Sequence, residues 1–197
     1  MKITGELRLP GDKSISHRAF MLGALARGTT IVHGSLESKD VQSTRQALQI
    51  LGADIGKHGD VWTVAGGNLR EPASVIDAGN SGTTARLISG ICAGIDGVAV
   101  MTGDGSLVNR PMARVMRPLE MMGASFLARK NRFLPMAIKG GKLAGISYDM
   151  DVASAQVKSC LLLAGLKAEG FTKVKEPSRS RDHSERMLAF FGANVST

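Results

Sequence analysis

Aromatic residues are scarce in this chain: one Trp, one Tyr and six Phe, 4% of 197 residues. That is poor material for the stacking platforms on which single-stranded nucleic acids are held. No run of 18 apolar residues occurs, so no stretch reads as a membrane-spanning helix. The opening "MKITGELRLPGD" lacks the apolar stretch of a secretory signal. Only two cysteines are present, Cys92 and Cys160, each inside an apolar helical pattern, "LISGICAG" and "KSCLLLAGL". They read as reduced core thiols, as suits a cytoplasmic protein. The four histidines are dispersed, with no metal-ligand spacing to the cysteines. "GDKS" lacks the spacing of a P-loop, and neither a G-x-G-x-x-G after a strand nor a G-x-S-x-G elbow is found.

What the chain does have is positive charge, a formal +8 with an isoelectric point near 9.9. The basic residues are scattered, with no run of five or six. This favours a pocket for small anions over a nucleic-acid surface or a membrane.

A repeat is also present. "ALQILGADI", "PLEMMGASF" and "MLAFFGANV" place Gly52, Gly123 and Gly192 at intervals of 71 and 69 residues. Upstream of each lies a longer apolar helix, in "KSISHRAFMLGALARG", "SGTTARLISGICAG" and "SAQVKSCLLLAGLKAEG", followed by the β-branched runs "TTIVHGSL", "GVAVMTG" and "FTKVKEP". Each unit reads helix, strand, helix, hairpin. The first two hairpins turn at His58-Gly59-Asp60 and at Lys130-Asn131. After Ala193 only "NVST" follows, so the third unit is expected to lack its hairpin and the chain to be a piece of something longer. The strand in "KITGELRLPG" belongs to no visible repeat.

Helix N-termini carry unpaired N–H groups and partial positive charge, and so attract anions. Asp12-Lys13-Ser14, Asn80-Ser81-Gly82 and Ser154-Ala155-Gln156 open the three long helices at equivalent positions. Around a pseudo-threefold axis these starts would converge on one pocket. In the first helix Ser14 and Arg18 share a face, with Ile15, Ala19, Leu22 and Ala26 expected as the buried stripe; His17 reads as structural. Lys13 offers a point charge and Arg18 a planar fork. Gly82 sits either where a side chain would obstruct a ligand or as a plain turn and packing residue, and Arg86, in register with Arg18, either binds substrate or bridges elements. Arg110, before Pro111, and Arg181 stand near later helix starts.

"LPGDKSISHRAFMLGALARG", "DAGNSGTTARLISG", "GDGSLVNRPM", "SAQVKSCLLLAGL" and "SRDHSERML" together resemble the 5-enolpyruvylshikimate-3-phosphate synthases, over essentially the whole chain. The resemblance implies an α/β fold, an enolpyruvyl transferase-like domain of repeated βαβαββ units around a pseudo-threefold axis. Residues 1–10 would be a strand of a second domain. Residues 11–197 would form one domain, with units over about 11–70, 71–143 and 144–197 and the last hairpin missing. It implies transfer of the enolpyruvyl group of phosphoenolpyruvate to the 5-hydroxyl of shikimate 3-phosphate, in aromatic amino-acid biosynthesis, without metal or organic cofactor. Lys13 would touch both substrates. Ser14, Arg18, Ser154, Ala155, Gln156 and Arg181 would meet shikimate 3-phosphate. Gly82, Arg110 and Gln156 would line the phosphoenolpyruvate site, and the glycine at 82 would leave room for glyphosate. The family's main acid/base groups lie in a second half with no counterpart here, so the isolated chain is expected to be inactive. A non-catalytic ligand-binding fragment or one partner of a split enzyme is the alternative. The related UDP-N-acetylglucosamine enolpyruvyl transferases are a remote one, because Ser14 follows Lys13 where their pattern has asparagine.

Overall fold

A computed structural model describes residue 5 and residues 9–197; most of the strand expected over residues 1–10 lies outside the described residues. The first helix begins where Asp12 accepts the Ile15 amide at 2.8 Å, and α1 runs Lys13–Leu25. It is followed by β1 (Gly28–His33), α2 (Lys39–Ile50), β2 (Asp54–His58) and β3 (Val61–Gly66). The middle of the chain forms β4 (Ile76–Asp77), α3 (Gly82–Ala93), β5 (Gly97–Thr102), a 3-10 turn (Leu107–Asn109), α4 (Ala113–Met121), β6 (Ser125–Arg129) and β7 (Phe133–Gly140). The last third gives β8 (Leu143–Ala144), β9 (Ser147–Asp149), α5 (Ala155–Gly165), β10 (Ala168–Glu169), β11 (Lys173–Lys175) and α6 (His183–Phe190).

The first sheet is antiparallel in the order β1-β3-β2, with Thr30 opposite Val64. The second runs β4-β5-β7-β6, β4 parallel to β5 and the rest antiparallel, with Ala99 opposite Ile138. The β6–β7 turn uses Lys130 and Asn131 at φ of 51° and 55°, the left-handed region that Asn tolerates and Lys rarely enters. In the last third, β8–β10 and β9–β11 form two short parallel pairs, and among the described residues no strand follows α6. The two hairpins close alike. The Gly67 amide donates to the Ala24 carbonyl at 2.9 Å and the Gly141 amide to the Ala93 carbonyl at 3.0 Å, each next to a helix end.

The helices divide into two kinds. The outer α2 buries Val41, Thr44, Arg45, Ala47 and Leu48, one stripe of an amphipathic helix. Above it, Arg45 stacks 3.9 Å from the Trp62 ring centre, and both residues bond to Glu37. The inner α1, α3 and α5 are buried on nearly every side; in α3 the run Leu87–Ala93 is buried without a break. The expected stripe of α1 therefore holds at Leu22, 3% exposed, and is corrected elsewhere. Ile15 is 44% exposed, Ala19 and Ala26 are half-buried, and Ser16, His17 and Arg18 are buried instead, because neighbouring helices cover the helix from several directions.

Close approach of the inner helices depends on Gly90, where a Cβ would stand 2.2 Å from the Cys160 carbonyl oxygen on α5. Backbone there cannot yield as a side-chain tip can. Gly90→Ala should therefore cost about 3 kcal/mol, the upper end of overpacking penalties, by urea unfolding. The same change at Gly105, where nothing lies within 4 Å, should stay within about 0.5 kcal/mol.

Candidate functional site

Hydroxyl and carboxylate caps fix the three inner helix starts. Asp12 caps α1, Ser81 Oγ accepts the Thr84 amide at 3.1 Å on α3, and Ser154 Oγ accepts the Val157 amide at 3.4 Å on α5. No acidic residue lies in the first turn of these three helices, whereas α2 and α6 carry Asp40 and Glu185 there. The α3 and α5 starts, with neutral serine caps, thus each present roughly half a positive charge, while the Asp12 carboxylate offsets that of α1.

Side chains tie the starts to one another. Arg86 donates Nη1 to Gln156 Oε1 at 2.9 Å, and Gln156 donates Nε2 to Thr83 Oγ1 at 2.9 Å, locking α3 to α5. Arg181 Nη1 reaches Ser14 Oγ at 3.4 Å. Arg110 donates Nη2 to Asn80 Oδ1 at 2.6 Å and to Ser106 Oγ at 3.1 Å, which holds it beside the start of α3. A Cβ on Gly82 would lie 2.7 Å from Arg86 Nη1 and 3.6 Å from Arg110 Nη1, so both guanidinium groups overhang that glycine. Arg18 is 5% exposed and spans three elements, with Nε to Ser184 Oγ (2.7 Å), Nη1 to the Ser14 carbonyl (2.9 Å) and Nη2 to Ser159 Oγ (2.6 Å).

The charge balance is one-sided. Among the described residues, none of Arg18, Arg86, Arg110 or Arg181 has a carboxylate within 4.0 Å. Burial pulls Arg18 and Arg86 below the usual arginine range, and Arg110 and Arg114 pull Arg86 the same way. Lys13 is paired with Asp40 at 3.0 Å, but its side chain is 53% exposed, so the pair is worth about 1 kcal/mol or less. An incoming anion can compete for that ammonium.

Beneath this face runs a chain of buried hydroxyls that sequence reasoning missed. His17 Nδ1 meets Thr44 Oγ1 at 2.6 Å, Thr44 meets Thr84 at 2.7 Å, and Thr84 donates to Ser81 Oγ at 2.7 Å. The donors run consistently if His17 is neutral with its proton on Nδ1. Its Nε2 then has only a bare lone pair, which finds no partner among the described residues. Also unforeseen were Asp40, Thr83 and the serines Ser159 and Ser184. Lys158 carried a signal, being a lone charge inside the apolar "AQVKSCLLLAG" that demands a buried partner. It has two, Glu176 at 2.8 Å and Glu185 at 2.6 Å. Burial alone would raise Glu176, but Lys158 and Ser180 overcome it and hold the carboxyl at about 2. The two cysteines are buried and free, with burial raising both thiols, Cys92 to about 12. A cavity of about 300 Å³, lined by Ala24, Ile91 and Leu163 among others, lies at the opposite ends of the same helices and contains none of these site residues. Among the described residues, no helix is long and apolar enough to cross a membrane.

The α/β domain of repeated units thus sets arginines, none with a carboxylate within 4.0 Å among the described residues, over three helix starts, an arrangement with the physical means to attract an anion. A sequence model of EPSP synthase (3-phosphoshikimate 1-carboxyvinyltransferase) matches residues 1–197, and the chain belongs to that family. It is 54% identical over 199 residues to the 3-phosphoshikimate 1-carboxyvinyltransferase of Synechocystis sp., covering 98% of this chain and 44% of that protein. The Caulobacter vibrioides protein of the same name is 54% identical over 195 residues, with 98% and 44% covered. The solved EPSP synthase of Acinetobacter baumannii superposes with a TM-score of 0.93 at 49% identity, covering 98% of this chain and 45% of that one. The chain spans less than half the length of these relatives.

The buried histidine gives a pH prediction. Burial lowers His17 from 6.5 to about 4, so its neutral form stabilises the fold above pH 6.5 and that stability is lost as pH falls toward 4. Linkage puts the loss at about 2 kcal/mol between pH 7 and pH 5. Urea unfolding at the two pH values should show it. In His17→Gln the difference should shrink to that of the remaining groups; Glu176, held at about 2, titrates mainly below this window.

Proposed function

We propose that the chain is the substrate-binding half of an enolpyruvyl transferase, moving the enolpyruvyl group of phosphoenolpyruvate to the 5-hydroxyl of shikimate 3-phosphate. The observation that carries this reading is the set of four arginines without acidic partners gathered at the inner helix starts, in a chain whose relatives bear the name of that activity. Both substrates are polyanions, and fixed N–H dipoles with positioned guanidinium groups bind such charge without reorganising. Ser14, Arg18, Ser154, Ala155, Gln156 and Arg181 would hold shikimate 3-phosphate. Gly82, Arg110 and Gln156 would hold phosphoenolpyruvate, and Lys13 would lie between the two. Arg18 spends three of its nitrogens on the protein, so its contribution is a field and at most its remaining donors.

Transfer also requires protonation of the phosphoenolpyruvate methylene and removal of the hydroxyl proton. Asp12 caps α1, Asp40 faces Lys13, and Asp104 accepts from Asn80 and the Leu107 amide, so these nearby carboxylates are already engaged. The acid and base would come from the second half of the enzyme, which would also supply the hairpin strands missing from the third unit. Cytoplasmic location goes with this reading. A ligand-binding fragment that works only beside a separate second half is the other reading, favoured by the length of the relatives.

Two results test the proposal. Calorimetry of the chain with millimolar shikimate 3-phosphate should show weak binding, abolished by Arg181→Ala together with Ser14→Ala; no heat in the unaltered chain refutes the reading. Phosphate release from both substrates should be absent for the chain alone and appear when the second half is added. Glyphosate should suppress that restored activity. Gly82→Ala should lose affinity for glyphosate, since a methyl at the first residue of α3 crowds Arg86 and its bond to Gln156.

A further inference from the structure

Residues 176–185 form a strap that leaves β11, crosses the start of α5 and enters α6. It carries Arg181, an exposed side chain that nonetheless reaches Ser14 on α1. Two consecutive residues of α5 hold the strap. Lys158, 8% exposed at its side chain, binds Glu176 at 2.8 Å and Glu185 at 2.6 Å, at the two ends of the strap. Glu176 in turn accepts the Ser180 amide at 3.0 Å and the Ser180 hydroxyl at 2.6 Å, which sets the residue directly before Arg181. Ser159, the next residue, meets Ser184 at 2.6 Å, and Arg18 bonds both hydroxyls. Arg181 is thus bracketed by a fixed residue 180 and a fixed residue 184.

Stability alone does not explain an ammonium between two carboxylates in an apolar helix. A well-packed aliphatic side chain would stabilise the fold as much or more; what a buried ionic knot adds is a unique register. We propose that Lys158 is a positioning residue for anion binding: it clamps both ends of the strap through Glu176 and Glu185, and so holds Arg181 over Ser14 at the start of α1. The ligand part of this rests on the functional reading above; the clamp itself does not.

The test therefore has one readout without ligand and one with it. In the ligand-free chain, the Arg181 Nε–Hε resonance should be dispersed and should move to the position of a solvent-averaged arginine when the clamp is removed. Lys158→Met leaves two buried carboxylates without a counter-charge and is expected to lose stability. The triple variant Lys158→Met, Glu176→Gln, Glu185→Gln avoids that imbalance and keeps the fold. In the triple variant shikimate 3-phosphate affinity should fall about tenfold, the scale of one charge-assisted hydrogen bond. Lys158→Arg should retain the resonance and most of the affinity. Adding Arg181→Ala to the triple variant should cost nothing beyond Arg181→Ala alone. An unmoved Arg181 resonance in the folded triple variant overturns the proposal, and so do losses that add. If the unaltered chain takes up no shikimate 3-phosphate, the functional reading falls, and the ligand-free resonance still decides the clamp.

Discussion

The guanidinium of Arg18 is the contact on which the rest of the molecule depends. It joins residues 141 and 166 positions apart in sequence, and through them the first helix, the fifth and the sixth. Its partners on α5 and α6 are hydroxyls and its partner on α1 is a carbonyl, all neutral acceptors. They satisfy its donors without cancelling its charge. A buried cation left in that condition raises the potential around it, and it sits where helix starts add positive field of their own. The packing that brings the three repeats together therefore also produces their common chemistry.

Gly90 works toward the same end from the apolar side. With no Cβ it lets α3 settle on the backbone of α5, where any side chain would meet the Cys160 carbonyl at 2.2 Å. Only at that spacing does Gln156 reach both Thr83 and Arg86. Each hydrogen bond is worth about 1 kcal/mol net, so the polar contacts do not drive the approach. Burial of the apolar inner helices drives it, and the polar contacts choose its register.

What the sequence disclosed follows from where the information sits. The hairpins around Gly59 and Lys130-Asn131 were legible because turn chemistry is local. The caps Asp12, Ser81 and Ser154 were legible because a cap is read from a few consecutive residues. The buried face of α1 was not, since a single apolar stripe is the rule for a helix covered from one side, and α1 is covered from several. Ser16, His17 and Arg18 are buried against helices whose positions no local pattern specifies. The placement of Lys13 against Asp40, or of Arg110 against Asn80, likewise arises between elements 27 and 30 residues apart. Resemblance to a family could point to Lys13 and Arg110 as site residues; it could not show what they touch when no substrate is there.

Polarity of the inner helices links the site to the fold's stability. Their starts face the arginines, and their ends frame the cavity lined by Ala24, Ile91 and Leu163. Three like-oriented dipoles with guanidinium groups at their positive ends repel one another, and Asp12 and Glu185, which act on Arg18 from beyond contact distance, offset that repulsion in part. An anion bound at that end would relieve the repulsion, so its binding free energy appears directly as added stability, growing as the logarithm of its concentration over its dissociation constant. The same reasoning limits how firmly the site can be built in advance. Carboxylates placed within 4.0 Å of Arg86 or Arg110 would stabilise the empty domain and occupy the donors that an incoming anion would need. Asp40 shows the workable compromise. It pairs with Lys13 at the exposed rim, where the pair is weak enough to yield, while Arg18 and Arg86 keep neutral partners.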